Sequence, residues 1–201
     1  MTGFSLEPLV LASGSASRRA MLEAAGVECE VERPSVDERA LEAEMSGSEA
    51  DEIAQALAAA KAASVSADFP VRLVLGSDSL VEVDGRRFDK PASSAQAAEH
   101  LRFFSGKVMT LHSAAALARD GKIAWIGGDF ARLRVRELSD DFIETYLAAE
   151  WPQVGGCVGV FRIEAAGPHL FESIAGDQFT VLGIPLLQVL GALREHGAVA
   201  A

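Results

Sequence analysis

Cationic side chains are scarce in this sequence. Only 18 lysines and arginines stand against 29 aspartates and glutamates, which leaves a formal net charge of −11 at pH 7. A protein that binds nucleic acid without regard to its sequence needs a broad basic surface, so this class is disfavoured. Any anionic ligand must instead meet a local pocket in which a few cations are gathered.

Cysteine and long apolar segments are also nearly absent. The two cysteines, Cys29 and Cys157, form no CxxC pair and are too few for a disulfide framework, which favours a reducing compartment. No run approaches the roughly 18–20 apolar residues of a membrane span, and no basic stretch opens the chain as in a signal peptide. We therefore expect a cytoplasmic protein with no membrane association and no nucleic-acid partner.

Several familiar active-site motifs are missing. There is no GxxxxGK[ST] phosphate loop, no GxGxxG dinucleotide fingerprint and no GxSxG nucleophile elbow. The four histidines lack the spacing of metal ligands and are interpreted as structural or solvated. These absences disfavour P-loop kinases, dinucleotide oxidoreductases, serine hydrolases and histidine-ligated metalloenzymes.

What the chain does contain is an alternation of apolar strands and amphipathic helices. Pro8–Ala12 and Val71–Leu75 are predicted core strands, and Val108–Ala118 and Lys122–Val135 are predicted to form a hairpin around an Asp-Gly turn. Further short strands are predicted at Val160–Ile163, Leu170–Ile174 and Phe179–Leu182. The pattern indicates an α/β fold on a mixed sheet, and 201 residues suit one domain with room for two lobes.

The first candidate for chemistry is the stretch LVLASGSASRR, residues 9–19. A buried strand here runs into small and hydroxyl residues, then into a helix that begins near two arginines. Free backbone N–H groups and hydroxyls at a helix N-terminus bind anions, and the Arg18 guanidinium matches phosphate oxygens. The alternative is a capped turn with solvent-exposed arginines and no ligand, which accounts for the same residues equally well.

Charged residues in three other places are candidates of the same kind. Lys61 falls on the shoulder of the apolar stripe of a long predicted helix, where a lysine either points into a groove or extends to solvent. Asp78 follows the predicted strand Val71–Leu75, at the strand end where ligands bind in open α/β sheets. Glu38 and Lys90 lie in charged loops that are ordinarily just solvated.

Taken in order, these pieces resemble the Maf family of nucleoside triphosphate pyrophosphatases. The matching blocks span almost the whole chain: LASGSASRRAML, VDE at 36–38, ALAAAK ending at Lys61, LGSDS around Asp78, DKP at 89–91, LRFFSG at 101–106, FRIEAAG at 161–167 and GDQFTVLGIPL at 176–186. One such block would be weak support. Eight in the family's order are a strong signal.

The resemblance implies an elongated α/β fold with two lobes around a central cleft, and hydrolysis of a nucleoside triphosphate to the monophosphate and pyrophosphate. It also implies a divalent metal, Mg²⁺ or Mn²⁺, held by Glu38 and Asp78, with Asp78 the more suited to activate water. By the same resemblance, Arg18, Lys61 and Lys90 are the cations that face the phosphates, and the Ser13 hydroxyl positions a phosphate. Glu164 falls at the position near the base. A homodimer is the implied assembly.

Two questions stay open in the sequence. One branch of the family prefers dTTP and UTP and another 7-methyl-GTP; the GSDS form and Glu164, within CVGVFRIEAAG at 157–167, resemble the second. A carboxylate also suits a cationic methylated guanine. The alternatives are a pyrophosphatase for inosine-type or other non-canonical triphosphates, and a nucleotide-sensing regulator of cell division with little catalysis.

Overall fold

The computed structural model describes residues 4–200 and has seven strands and seven α-helices within that range. The strands are β1 Leu9–Ala12, β2 Cys29–Glu32, β3 Val74–Val83, β4 Arg86–Phe88, β5 Val108–Arg119, β6 Lys122–Val135 and β7 Phe171–Ala175. The helices are α1 Ala16–Ala24, α2 Glu38–Glu44, α3 Ala50–Ser66, α4 Ser94–Phe104, α5 Asp140–Glu150, α6 Gln178–Leu182 and α7 Leu186–Glu195. No helix within residues 4–200 is long and apolar enough to cross a membrane.

The strands form one mixed sheet, as predicted. Its order is β2-β1-β3-β5-β6-β7, with β4 paired to β3 outside that path. The pairs β1–β2 and β1–β3 are parallel, whereas β3–β4 and β6–β7 are antiparallel. Parallel strands need crossovers, and α1 and α3 precede β2 and β3 in the chain as such connections require. The α/β class is therefore confirmed.

The described chain divides into two compact units. The first unit contains residues 4–79, 113–129 and 178–200, and the second contains residues 80–112 and 130–177. Strands β3, β5 and β6 each continue from one set of residues into the other.

In the first unit, strand β1 is buried along its whole length. On one side Leu9 and Leu11 pack in a cluster with Leu22 of α1 and Leu193 of α7. The alternate residues of β1, Val10 and Ala12, pack in a separate cluster with Val65 of α3. A strand covered on both faces reads as a continuous apolar run, which explains the sequence Leu-Val-Leu-Ala.

The second unit has an aromatic core. Phe88 of β4 contacts Phe104 of α4 edge-on, with ring centroids 4.8 Å apart, and Phe161 and Phe171 meet in the same way at 4.9 Å. Helix α5 begins after Ser139, whose side chain accepts from the Phe142 N–H as an N-cap.

Several predicted elements are wrong in detail. Strand β3 does not end before the GSDS residues but includes them and continues to Val83, so that Asp78 lies within a strand. Glu38, expected in a loop, is the first residue of helix α2, and Glu49 and Glu52 form a capping box at the start of α3. Of the short strands predicted later in the chain, residues 160–163 are not a strand and residues 179–182 are helical.

Candidate active site

The first loop of the chain is built around serine hydroxyls. Ser13 follows β1 and is buried, and its Oγ accepts from the Ser15 N–H at 3.3 Å. Ser15 is the N-cap of α1 and accepts from the Arg18 N–H at 3.4 Å. Because β1 pairs in parallel with β3, with Ala12 beside Gly76, Ser13 lies next to the GSDS segment.

Arg18 is half-buried and its guanidinium is directed into the protein. Its Nε donates to the Gly183 carbonyl at 3.0 Å, and its Nη1 donates to the Ser77 carbonyl at 2.8 Å and to Ser13 Oγ at 3.2 Å. Its Nη2 donates to Ser79 Oγ at 2.9 Å, so four of the five guanidinium N–H donors are used within the protein. Burial lowers the pKa of Arg18, and the carboxylates of Asp78 and Glu38 oppose that shift.

A directional chain of hydroxyls supports this guanidinium. Ser113 Oγ donates to the Thr180 carbonyl at 2.9 Å, so its single proton is used there. Ser79 Oγ accepts from Arg18 and lies 2.9 Å from Ser113 Oγ, which is the nearer acceptor for its proton; the Gly183 carbonyl is 3.5 Å away. The chain runs from Arg18 through two serines to a backbone carbonyl and leaves none of these hydroxyls unsatisfied.

Lys61 bridges two carboxylates. Its Nζ lies 2.5 Å from Asp78 Oδ1 and 2.9 Å from Glu38 Oε1. The side chains of Lys61 and Asp78 are only 9% and 10% exposed, whereas that of Glu38 is 48% exposed. The lysine predicted to lie on the shoulder of the stripe is therefore at its buried centre, with its charge fully paired.

Local packing explains how Lys61 reaches Asp78. A Cβ added to Gly76 would lie 2.2 Å from the Ala58 carbonyl oxygen and 2.5 Å from the Ala62 nitrogen, so α3 approaches β3 closely at this glycine. Glu38 is the first residue of α2, whose start is fixed by Asp37 as N-cap, accepting from the Ala40 N–H at 3.0 Å.

The first unit thus brings together five of the predicted site residues: Ser13, Arg18, Glu38, Lys61 and Asp78. Two cations and two carboxylates offset one another.

No group of three or more histidine, cysteine, aspartate or glutamate side chains suited to a metal is found in residues 4–200. Mg²⁺ needs only one or two carboxylates when a substrate phosphate and water complete its shell, so Glu38 and Asp78 fit that ion.

The other two predicted site residues, Lys90 and Glu164, belong to the second unit. Both are exposed. Burial raises the pKa of the Cys157 thiol, Glu164 raises it further, and Arg162 and Lys90 act in the opposite direction. These four side chains therefore share one electrostatic environment, and the raised pKa makes the Cys157 thiol a poor nucleophile.

Ser79, Ser113 and Thr180 were not identified from the sequence. Ser79 and Thr180 lie inside the blocks GSDS and GDQFTVLGIPL, which the resemblance singled out without giving these residues a role. Ser113, in the middle of β5, carries no sequence signal of its own, because only the fold brings it to Ser79.

Comparisons with known proteins agree with the resemblance seen in the sequence. The family model described as Maf-like protein matches residues 8–196. A nucleoside triphosphate pyrophosphatase of Nitrobacter winogradskyi is 44% identical over 190 residues, which cover 94% of this chain and 94% of that protein. A 7-methyl-GTP pyrophosphatase of Rhizobium etli is 45% identical over 193 residues, covering 95% and 97%.

A solved dITP/XTP pyrophosphatase from Mycobacterium abscessus is similar only distantly, with a TM-score of 0.39 and 18% identity over 66% of this chain and 76% of that one. The family assignment depends instead on the full-length match and on relatives at 44–45% identity. This chain belongs to the Maf family.

Proposed function

We propose that this protein hydrolyses a nucleoside triphosphate to the monophosphate and pyrophosphate. The observation that carries the proposal is the buried Lys61 between Asp78 and Glu38, beside a loop whose serine hydroxyl is held by Arg18. The proposal is also supported by the names of the relatives at 44% and 45% identity.

In the proposed reaction a water oxygen forms a bond to the α-phosphorus. The bond from that phosphorus to the oxygen bridging the β-phosphate breaks, pyrophosphate leaves, and a proton of the water passes to Asp78. Asp78 Oδ1 is held by Lys61, and among residues 4–200 no partner occupies Oδ2, which leaves that oxygen to accept the proton. Lys61 supplies positive charge against the negative phosphate oxygens.

Ser13 positions phosphate by donating a hydrogen bond. Both of its acceptor sites are used, one by Arg18 Nη1 and one by the Ser15 N–H. The hydroxyl proton of Ser13 therefore remains available to donate a hydrogen bond to a phosphate oxygen. Mg²⁺ or Mn²⁺, if held by Glu38 and Asp78, would neutralise charge on the phosphates.

The favoured substrate is 7-methyl-GTP. Glu164 is exposed and makes no hydrogen bond or ion pair within residues 4–200, so its charge is available to a cationic base. A methylated guanine ring carries positive charge, whereas the bases of dTTP and UTP do not. The relatives are named both for this substrate and for nucleoside triphosphates in general, which makes a substrate panel necessary.

The reaction is tested by hydrolysis in ¹⁸O-labelled water. Attack at the α-phosphorus places the label in the nucleoside monophosphate and leaves pyrophosphate unlabelled. Label in pyrophosphate, or release of single phosphates, would contradict the proposed reaction. The same assay with 7-methyl-GTP, GTP, dTTP, UTP and ITP tests the substrate, and a preference for dTTP or UTP would retain the enzyme class while refuting the role of Glu164.

A further inference from the structure

The loop of residues 157–167, which carries Glu164, is held in an unusual backbone conformation. Val160 is fully buried at φ +55°, a conformation that β-branched residues rarely adopt. The Ala165 and Gly167 N–H groups both donate to the Arg162 carbonyl, and a Cβ on Gly167 would lie 2.3 Å from that oxygen. The turn that contains Glu164 is therefore tightly closed.

Two buried residues of α5, one helical turn apart, hold this loop. The Tyr146 hydroxyl donates to the Val160 carbonyl at 3.0 Å. Glu150 accepts from Arg162 Nε at 2.9 Å with one carboxylate oxygen and from the Ala166 N–H at 3.3 Å with the other. Glu150 thus binds Arg162 and Ala166, the residues on either side of Glu164 in this turn.

The charge of Glu150 matters as much as its hydrogen bonds. Arg162 lies two residues before Glu164, and the Glu150 side chain, only 6% exposed, engages its guanidinium. A buried carboxylate that accepts both an arginine and a backbone N–H is a strong partner. Without it, the nearest carboxylate in sequence to the freed Arg162 cation is Glu164.

We propose that Glu150 is a specificity-positioning residue: it holds Arg162 so that this cation forms no ion pair with Glu164, whose carboxylate stays available to a cationic base. Glu150 itself does not touch the substrate. This inference rests on the proposed function, because it takes Glu164 as the residue that recognises 7-methylguanine.

The test is the ratio of kcat/KM for 7-methyl-GTP to kcat/KM for GTP, two substrates that differ by one methyl group and its charge. Glu150→Gln keeps the shape and an acceptor for Ala166 but removes the charge that holds Arg162. We expect the ratio to fall about tenfold, the scale of one charge-assisted hydrogen bond, toward that of Glu164→Gln. Glu144→Gln, the same change at an exposed position of α5, is the matched control and should leave the ratio unchanged.

A rescue experiment separates this role from a merely structural one. Glu150→Gln/Arg162→Gln also removes the cation that the first change releases, so the ratio should return to within about threefold of wild type. A loss of folding would lower kcat/KM for both substrates and leave their ratio unaltered. If Glu150→Gln does not fold, Glu150→Asp withdraws the carboxylate from Arg162 and should lower the ratio in the same direction.

The outcomes distinguish the two proposals. If wild type shows no preference for 7-methyl-GTP, or Glu164→Gln does not reduce it, the substrate proposal fails. If wild type and Glu164→Gln behave as expected but Glu150→Gln keeps the wild-type ratio, or the double variant does not recover it, the role of Glu150 is overturned.

Discussion

Replacing Lys61 with methionine should strongly destabilise the protein. Methionine has a similar length and helix propensity, so the packing of α3 is largely retained and the main loss is the charge. The side chain of Asp78 is 10% exposed and would remain as an uncompensated buried carboxylate. Removing one partner of a buried ion pair costs about 3–5 kcal/mol.

Glu38 adds little to that figure because it is 48% exposed and water screens its interaction with Lys61. We therefore expect a loss of about 3–5 kcal/mol in the free energy of unfolding, measured by urea denaturation at pH 7. In Lys61→Met/Asp78→Asn the buried charge is gone, and most of the stability should return.

The matched control is Arg19→Met in the same unit. Arg19 pairs with Glu23 at 2.7 Å, but both side chains are about half exposed, so the change should leave the free energy of unfolding almost unaltered. If Lys61→Met and Arg19→Met lowered stability equally, or if the double variant were no more stable than Lys61→Met, the buried ion pair would not have the role described.

Three further changes test other parts of the structure. Gly76→Ala places a Cβ 2.2 Å from a carbonyl oxygen of α3 and should cost about 1–3 kcal/mol or more in urea denaturation; a neutral effect would mean that the close packing is misassigned. Arg18→Lys and Ser13→Ala should be non-additive in kcat/KM, because Arg18 acts partly by holding Ser13; additive effects would instead indicate an independent phosphate contact. Burial and Glu164 raise the pKa of Cys157, so iodoacetamide should alkylate this thiol more slowly than free cysteine at pH 8, and the rate should increase as the pH is raised. Glu164→Gln should accelerate the alkylation. A rate equal to that of free cysteine would contradict this.

Much of the fold could be predicted because its signals are local. The hairpin of β5 and β6 was predicted almost to the residue, since two long apolar runs meet at Asp120-Gly121. Residues 179–182 are predicted as a strand, but they lie in the short helix α6, Gln178–Leu182. The sequence predicts an end of strand β3 that is too early, because Gly-Ser-Asp-Ser has the composition of a turn. In the structure these four residues are extended and pair with neighbouring strands.

The candidate site was predictable only in part for a related reason. Helical periodicity located Lys61 near the buried face of α3, but its two carboxylate partners come from α2 and β3, and no local pattern reports such distant pairings. The residues that hold the site residues in place are not predictable for the same reason. Ser113 contacts Ser79, and Glu150 binds Arg162, only once the chain has folded.

The proposed reaction requires Asp78 to accept the proton of the attacking water. The most direct measurement is pyrophosphate release from 7-methyl-GTP by wild type and by Asp78→Asn, which keeps the size of the side chain while removing the base. We expect kcat to fall by at least about a hundredfold, the usual contribution of a general base, with the variant still folded. Turnover by folded Asp78→Asn at a rate close to wild type would contradict it.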